Sequence, residues 1–178
     1  MKGKLDTIVM GGGCFWCTEA VFSMFKGVID TEPGYSGGTV PDPTYEQVCS
    51  GTTGHAEVLR IRYDPSIISL EKLLRIFAEM HDPTSLNAQG ADRGSQYRSA
   101  IYYTKESQKK EIVKFLRGLQ KEYEKPIVTE VRKLGRFYPA EEYHKNYFKR
   151  NPFQPYCAIV ILPKVAKIRK EFAELLKG

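Results

Sequence analysis

Apolar and polar positions follow two rhythms along this chain, and the switches between them mark its elements. Ala56-Glu57-Val58-Leu59-Arg60-Ile61-Arg62-Tyr63 alternates with the period of a half-buried strand and stops at Asp64-Pro65. Short apolar runs predict further strands at 7–10, 28–32, 99–103, 127–131 and 158–162, the last kept short by Pro155 and Pro163. Ser69 is placed to cap a helix with Leu70, Leu73, Leu74 and Phe77 on one face. Thr104 is placed to cap a longer helix with Ile112, Phe115, Leu116, Leu119 and Tyr123 inward. A helical pattern opens at Cys14, residues 44–49 predict a helical turn, and 140–149 a further helix. Residues 33–43 and 81–94 are dense in turn formers and read as loops. Strands alternate with helices and hairpin-length spacings are scarce. The pattern predicts an α+β or α/β sandwich, one domain over residues 1–178 with helices covering a mixed sheet.

Composition leaves that picture intact and removes several functions. The 178 residues are 42% hydrophobic and 27% charged, ordinary for a soluble globular domain. No segment is long and apolar enough for a signal-peptide core or a membrane span, so a cytoplasmic protein without a membrane partner is expected. The net charge of +6 invites nucleic acid as a partner, yet the positive residues are dispersed. Their densest run, 164–170, lies opposite Val165, Ile168, Phe172, Leu175 and Leu176, as on a solvated helix face over a core stripe. No nucleic-acid role is expected, and a monomer is. Four cysteines are too few for a disulfide framework, which points to redox or catalytic use.

Gly11-Gly12-Gly13-Cys14-Phe15-Trp16-Cys17 concentrates that chemistry. Three glycines let the backbone turn and approach a ligand closely. A thiol at a helix start meets unpaired N–H groups and the positive end of the helix dipole, which favour the nucleophilic thiolate. Phe15 and Trp16 add an apolar wall. A buried, inert Cys14 is the plainer alternative, and the glycines before it and the thiol after it weigh against that.

Two further stretches change the picture. Residues 45–57 carry Tyr45 and, after a glycine-rich approach, place Glu57 at the start of a strand. Gly90-Ala91-Asp92-Arg93-Gly94-Ser95-Gln96-Tyr97-Arg98-Ser99 places an acid and a phenol in the loop before another. With Gly-Cys-Phe-Trp and the stretch Asn151-Pro152-Phe153-Gln154-Pro155-Tyr156-Cys157, the chain from about Ile8 to Lys164 resembles the A-type peptide methionine sulfoxide reductases. That resemblance implies a two-layer sandwich with a ferredoxin-like core, and reduction of the S epimer of methionine sulfoxide, free or in proteins, without cofactor or metal. It implies Cys14 as nucleophile, Glu57 as proton donor, Tyr45 and Tyr97 as hydrogen-bond donors to the oxygen, and Asp92 in the surrounding polar network. Phe15 and Trp16 would hold the S-methyl group. Cys14 would become a sulfenic acid, then an intramolecular disulfide that thioredoxin reduces.

The residue types suit those roles. A carboxyl in an aromatic pocket is held neutral and can act as an acid. Phenols donate hydrogen bonds without bringing charge to an oxygen gaining electron density. Where many relatives have glycine after Gly-Cys-Phe-Trp, this chain has Cys17, at a spacing that can close a disulfide across one helical turn. Cys157 lies in the C-terminal region that supplies recycling thiols in many relatives. Cys17 and Cys157 are thus both candidates for the resolving thiol, Cys17 needing only local rearrangement and Cys157 an inward swing of its segment. Cys49 reads as a core thiol, and His55, His81 and His144 as hydrogen-bonded structural residues.

Three other readings explain less. A thioredoxin-type dithiol oxidoreductase would account for Cys14 and Cys17 and leave the other motifs without a purpose. A zinc-stabilised module would need a second Cys-x-x-Cys knuckle. A basic RNA-binding protein would need a stacking motif.

Overall fold

The computed structural model describes residues 3–178. Its centre is a six-stranded mixed sheet in the order β7-β6-β1-β3-β2-β8. These strands are β1 (Asp6–Gly12), β2 (Val28–Ser36), β3 (Ala56–Tyr63), β6 (Ser99–Tyr103), β7 (Glu130–Lys133) and β8 (Phe137–Pro139). Only β6 and β7 run parallel; every other neighbouring pair is antiparallel. Register places Ile8 opposite Ile61 and Met10 opposite Leu59 and Ile101, so one face is continuously apolar. Over it lie α1 (Phe15–Phe22), α3 (Leu70–Met80), α4 (Glu106–Gln120) and α6 (Leu162–Glu171), which share one buried cluster with those strand residues. The opposite face holds the smaller cluster of Val9, Ala56, Val58, Ala100 and Tyr102.

Local chemistry sets several boundaries. Ser69 accepts from the Lys72 N–H at 3.1 Å, as its position predicts. The short helix α2 (Tyr45–Cys49) starts from a reciprocal capping box between Thr44 and Gln47. Thr104 is not the cap of α4. Lys105 occupies that position, while the Thr104 hydroxyl donates to the Thr7 carbonyl, tying α4 to β1.

Five other expectations are corrected. Residues 158–162 form no strand: Cys157–Ile161 is a wide, π-type turn running into α6, with Pro163 in the first helical turn. Burial at Cys157, Ile161, Val165, Ile168 and Phe172 has helical spacing, and that overrides the β-branched composition. The helix expected at 140–149 is a 3-10 turn, Glu142–His144, and a four-residue helix, α5 (Tyr147–Arg150). Between them Asn146 takes φ 53°, its N–H held by Glu19 Oε1 at 2.6 Å. The strand expected at 127–131 sits later, at Glu130–Lys133. The stretch 81–94 contains a small hairpin, β4 (Ala88–Gln89) with β5 (Asp92–Arg93), and β2 continues to Ser36 because β8 pairs with its second half.

Candidate active site

β1 delivers the chain to the site through its terminal glycines. A Cβ on Gly11 would stand 2.9 Å from the Glu57 carbonyl oxygen, so the two strands approach here only with glycine. Gly13 turns the chain with φ +99°, and Cys14 follows as the N-cap residue of α1 without a side-chain capping bond. Its sulfur is therefore left to other partners.

Glu57 faces this turn from the start of β3 and is 1% exposed. Its Oε1 accepts from the Phe15 N–H at 3.2 Å. Its Oε2 is buried with no partner among the described residues. Burial pushes the carboxyl up to about 8; the Phe15 N–H opposes this, while the charges of Asp92 and Cys17 reinforce it. At neutral pH Glu57 is an acid with a free oxygen. Tyr45, the first residue of α2, and Tyr97, at the end of the 3-10 turn Ser95–Tyr97, are half-buried beside it. Burial first, and the Glu57 charge second, push both phenols up, so both remain hydrogen-bond donors. Arg98 sets the spacing of these segments: Nη2 donates to the Gly54 carbonyl at 2.9 Å, Nη1 to that of Ser95 at 3.0 Å, and Nε to Glu130 at 2.8 Å.

The apolar wall is completed by Tyr35, Glu141 and Tyr147, which the sequence did not mark, together with Tyr45 and His144. Phe15 packs against Tyr35 and His144, ring centroids 5.7 and 4.9 Å away, and stacks on Tyr45 at 6.4 Å. Trp16 stacks on Tyr147 at 3.7 Å, and its Nε1–H donates to His144 Nδ1 at 2.9 Å. Glu141 accepts from the Tyr35 hydroxyl and the Tyr45 N–H, each at 3.1 Å. His144 is structural and hydrogen-bonded as expected, as are His55, on the Gly38 N–H, and His81, on Ser99. Tyr156 is the further polar group: its hydroxyl donates to Asp92 Oδ2 at 2.6 Å and lies 3.9 Å from Cys17 Sγ. No local signal in the sequence marked Tyr156 beyond its place in the C-terminal stretch.

Cys14, Cys17 and Cys157 are buried in one cluster, and Cys49 is exposed at the end of α2, not in the core. Cys157 is fully buried in the same cluster as Cys14 and Cys17. Burial, a hydrogen bond with Cys17 and the Glu57 charge push the Cys14 thiol well up, outweighing the nearby Trp16 N–H. Burial thus works against the thiolate expected from the helix start. Its partner Cys17 is lowered, chiefly by that same hydrogen bond, with Lys164 adding to it. Among the described residues, no group of three or more His, Cys, Asp or Glu is placed to hold a metal ion.

Paired buried thiols beside a neutral carboxyl and two phenols define a thiol-dependent oxidoreductase site. A family model described as Peptide methionine sulfoxide reductase matches residues 6–176. The chain is 51% identical to the peptide methionine sulfoxide reductase MsrA of Saccharolobus solfataricus, over 97% of this chain and 98% of that protein. It is 36% identical to Mxr1 of Saccharomyces cerevisiae in reduced form, covering 86% of this chain and 90% of that one with a TM-score of 0.82. Mxr1 in complex with Trx2 shares the fold at 24% identity, covering 83% and 89% with a TM-score of 0.59. The chain belongs to the peptide methionine sulfoxide reductase family. It is an oxidoreductase that reduces methionine sulfoxide.

Proposed function

We propose that this chain reduces the S epimer of methionine sulfoxide, free or in proteins, as a repair enzyme recycled by thioredoxin. The observation that carries the reading is Glu57, a buried carboxyl pushed up to about 8 with one oxygen unpartnered beside Cys14. Cys14 sulfur attacks the sulfoxide sulfur while Glu57 gives its proton to the sulfoxide oxygen, which Tyr45 and Tyr97 hydrogen-bond. The oxygen passes to Cys14 as a sulfenic acid, methionine departs, and the Cys14 thiol proton replaces the one Glu57 gave. Phe15 and Trp16 hold the S-methyl group, and Asp92 belongs to the polar network. A second thiol then condenses with the sulfenic acid to give a disulfide and water. Cys17 is the first choice, supported by its place in the first turn of α1 beside Cys14, both in the same buried cluster; Cys157, buried in that cluster too, is the alternative.

Thioredoxin as the reductant is supported by the yeast relative solved with Trx2. The antiparallel order β6-β1-β3-β2, with α1 and α3 as the crossovers, supports a ferredoxin-like core in a two-layer sandwich. We read residues 1–178 as one catalytic domain working as a monomer in the cytoplasm, without nucleic acid; no described helix is long and apolar enough to cross a membrane.

The test is epimer-resolved: reduced protein is incubated with each epimer, and thiols and methionine are counted. The S epimer should be consumed with loss of two thiols per methionine and the R epimer left almost untouched. Equal turnover of both would mean that the pocket does not orient the sulfoxide.

A further inference from the structure

Tyr156 has one hydroxyl hydrogen and gives it to Asp92 Oδ2 at 2.6 Å. Its oxygen is 3.9 Å from Cys17 Sγ. With the phenol's hydrogen committed to the carboxylate, the thiol must be the donor in that contact. Cys17, Tyr156 and Asp92 thus form a directed chain, sulfur to phenol to carboxylate. The Tyr156 ring meets Trp16 edge-on, at 5.8 Å and 78°, which holds the phenol against the turn that carries Cys17. Asp92 is less buried than Cys17, so the chain leads outward from a closed thiol.

We propose that Tyr156 is a catalytic residue of the resolving step, taking the Cys17 thiol proton as that sulfur attacks the Cys14 sulfenic acid and passing its own proton to Asp92. The inference rests on the reading of Cys17 as the resolving thiol. A sulfur–sulfur bond forms between Cys17 and Cys14, and the sulfur–oxygen bond of the sulfenic acid breaks. Cys17 sulfur is oxidised and Cys14 sulfur is reduced. The departing hydroxide takes the Glu57 proton and leaves as water; Asp92 then releases its proton to solvent and the Glu57 carboxylate takes one up, which restores both groups.

The physical need is plain. A thiolate is the form that attacks, and Cys17 is 1% exposed, with no direct path for its proton to bulk water. The titratable groups that face it are Cys14 on its own turn, Glu57 from β3, Asp92 from the hairpin, Tyr156 and Cys157 from the C-terminal segment, and Lys164 from α6. Of these, Tyr156 alone touches both the sulfur and a carboxylate. Asp92 acts through the phenol and is a positioning residue for this step.

Tyr156→Phe keeps the ring against Trp16 and removes only the hydroxyl. Reduced full-length protein is mixed with one equivalent of the S epimer and quenched at intervals; methionine, dimedone-trapped sulfenic acid and the linked cysteine peptides are measured. In Tyr156→Phe the rate of disulfide formation relative to methionine formation should fall by about tenfold or more, the scale on which a positioned proton acceptor acts, with sulfenic acid accumulating. Its disulfide rate should then rise with pH more steeply than that of the wild type, by up to about tenfold per unit while Cys17 is still protonated, because Cys17 must ionise before it attacks. Asp92→Asn should show the same pH dependence, which a purely structural role would not produce, and it serves as the test if Tyr156→Phe does not fold. An unchanged ratio, or slowing equal at every pH, overturns the relay. A wild-type link from Cys14 to Cys157 overturns it differently, by removing Cys17 from the reaction, and the peptide map tells the two apart.

Discussion

The Phe15 N–H donates to Oε1 of Glu57 at 3.2 Å, and this one bond decides which carboxyl oxygen is left to meet a substrate. The bond belongs to the same turn that positions Cys14, so nucleophile and acid are set by adjacent residues of one backbone. Glu57→Gln preserves an acceptor for Phe15 but has no proton to deliver. Its single-turnover rate of methionine formation should fall by about two to four orders of magnitude. In the wild type that rate should decline as pH rises through about 8, because the protonated carboxyl is the working form. A variant within a few-fold of wild type would pass the donor role to Tyr45 and Tyr97.

The same carboxyl leaves a mark on stability. Its ordinary value is 4.5 and burial raises it to about 8 in the folded protein. Between those values the unfolded chain has released the proton and the folded chain keeps it, so stability falls as pH rises. The slope approaches ~1.4 kcal/mol per pH unit and flattens above the folded value. Gln does not ionise, so Glu57→Gln should gain stability relative to wild type across that window and no further beyond it. Urea titrations at several pH values read this directly; a pH-independent difference would refute it.

Cys14→Ser should abolish methionine formation in a single turnover, since the hydroxyl has no base beside it to make it a nucleophile. Near-normal single-turnover activity would show that another thiol attacks. For the second step, oxidation by one equivalent of sulfoxide followed by non-reducing digestion should yield a Cys14–Cys17 link. A Cys14–Cys157 link, with thioredoxin-dependent turnover intact in Cys17→Ser, assigns resolution to the C-terminal thiol instead.

The parts of the site legible in the sequence are those where one short stretch carries both the turn and the side chain. Gly11 to Cys17 is such a stretch, and so is the start of β3 at Glu57. The supporting wall was not legible, because it is assembled from residues far apart. Asn146 adopts its left-handed conformation under the hold of Glu19, a bond across 127 positions, and no local pattern in 140–149 reveals that break. Glu141, His144 and Tyr147 take their meaning only from where the break sends them. Residues 158–162 misled for a different reason: Ile159, Val160 and Ile161 favour strands, while the spacing of what is buried is helical. The pairing of β8 with β2 was hidden in three residues, where Phe137 packs so close over Gly34 that a Cβ there would lie 2.4 Å from the ring.

His144 offers a check on that hidden wall. It accepts from the Trp16 indole and packs against the rings of Phe15 and Tyr45, 4.9 and 4.5 Å away. His144→Ala should destabilise the protein by roughly 2–4 kcal/mol through the void and the lost acceptor. It should also raise KM for sulfoxide more than it lowers kcat, since it loosens the methyl-binding wall and leaves Cys14 and Glu57 in place. An unchanged KM would separate Trp16 from substrate binding.

The chain contains a single tryptophan, and it is Trp16, stacked on Tyr147, bonded to His144 and next in sequence to Cys17. All indole fluorescence therefore originates at one wall of the pocket, with no background from elsewhere in the chain. Sulfoxide entry, methionine release and a change of oxidation state at the neighbouring thiol all act on the same fluorophore. The unlabelled enzyme carries its own optical probe, and a stopped-flow trace of its emission can time the separate stages of a turnover.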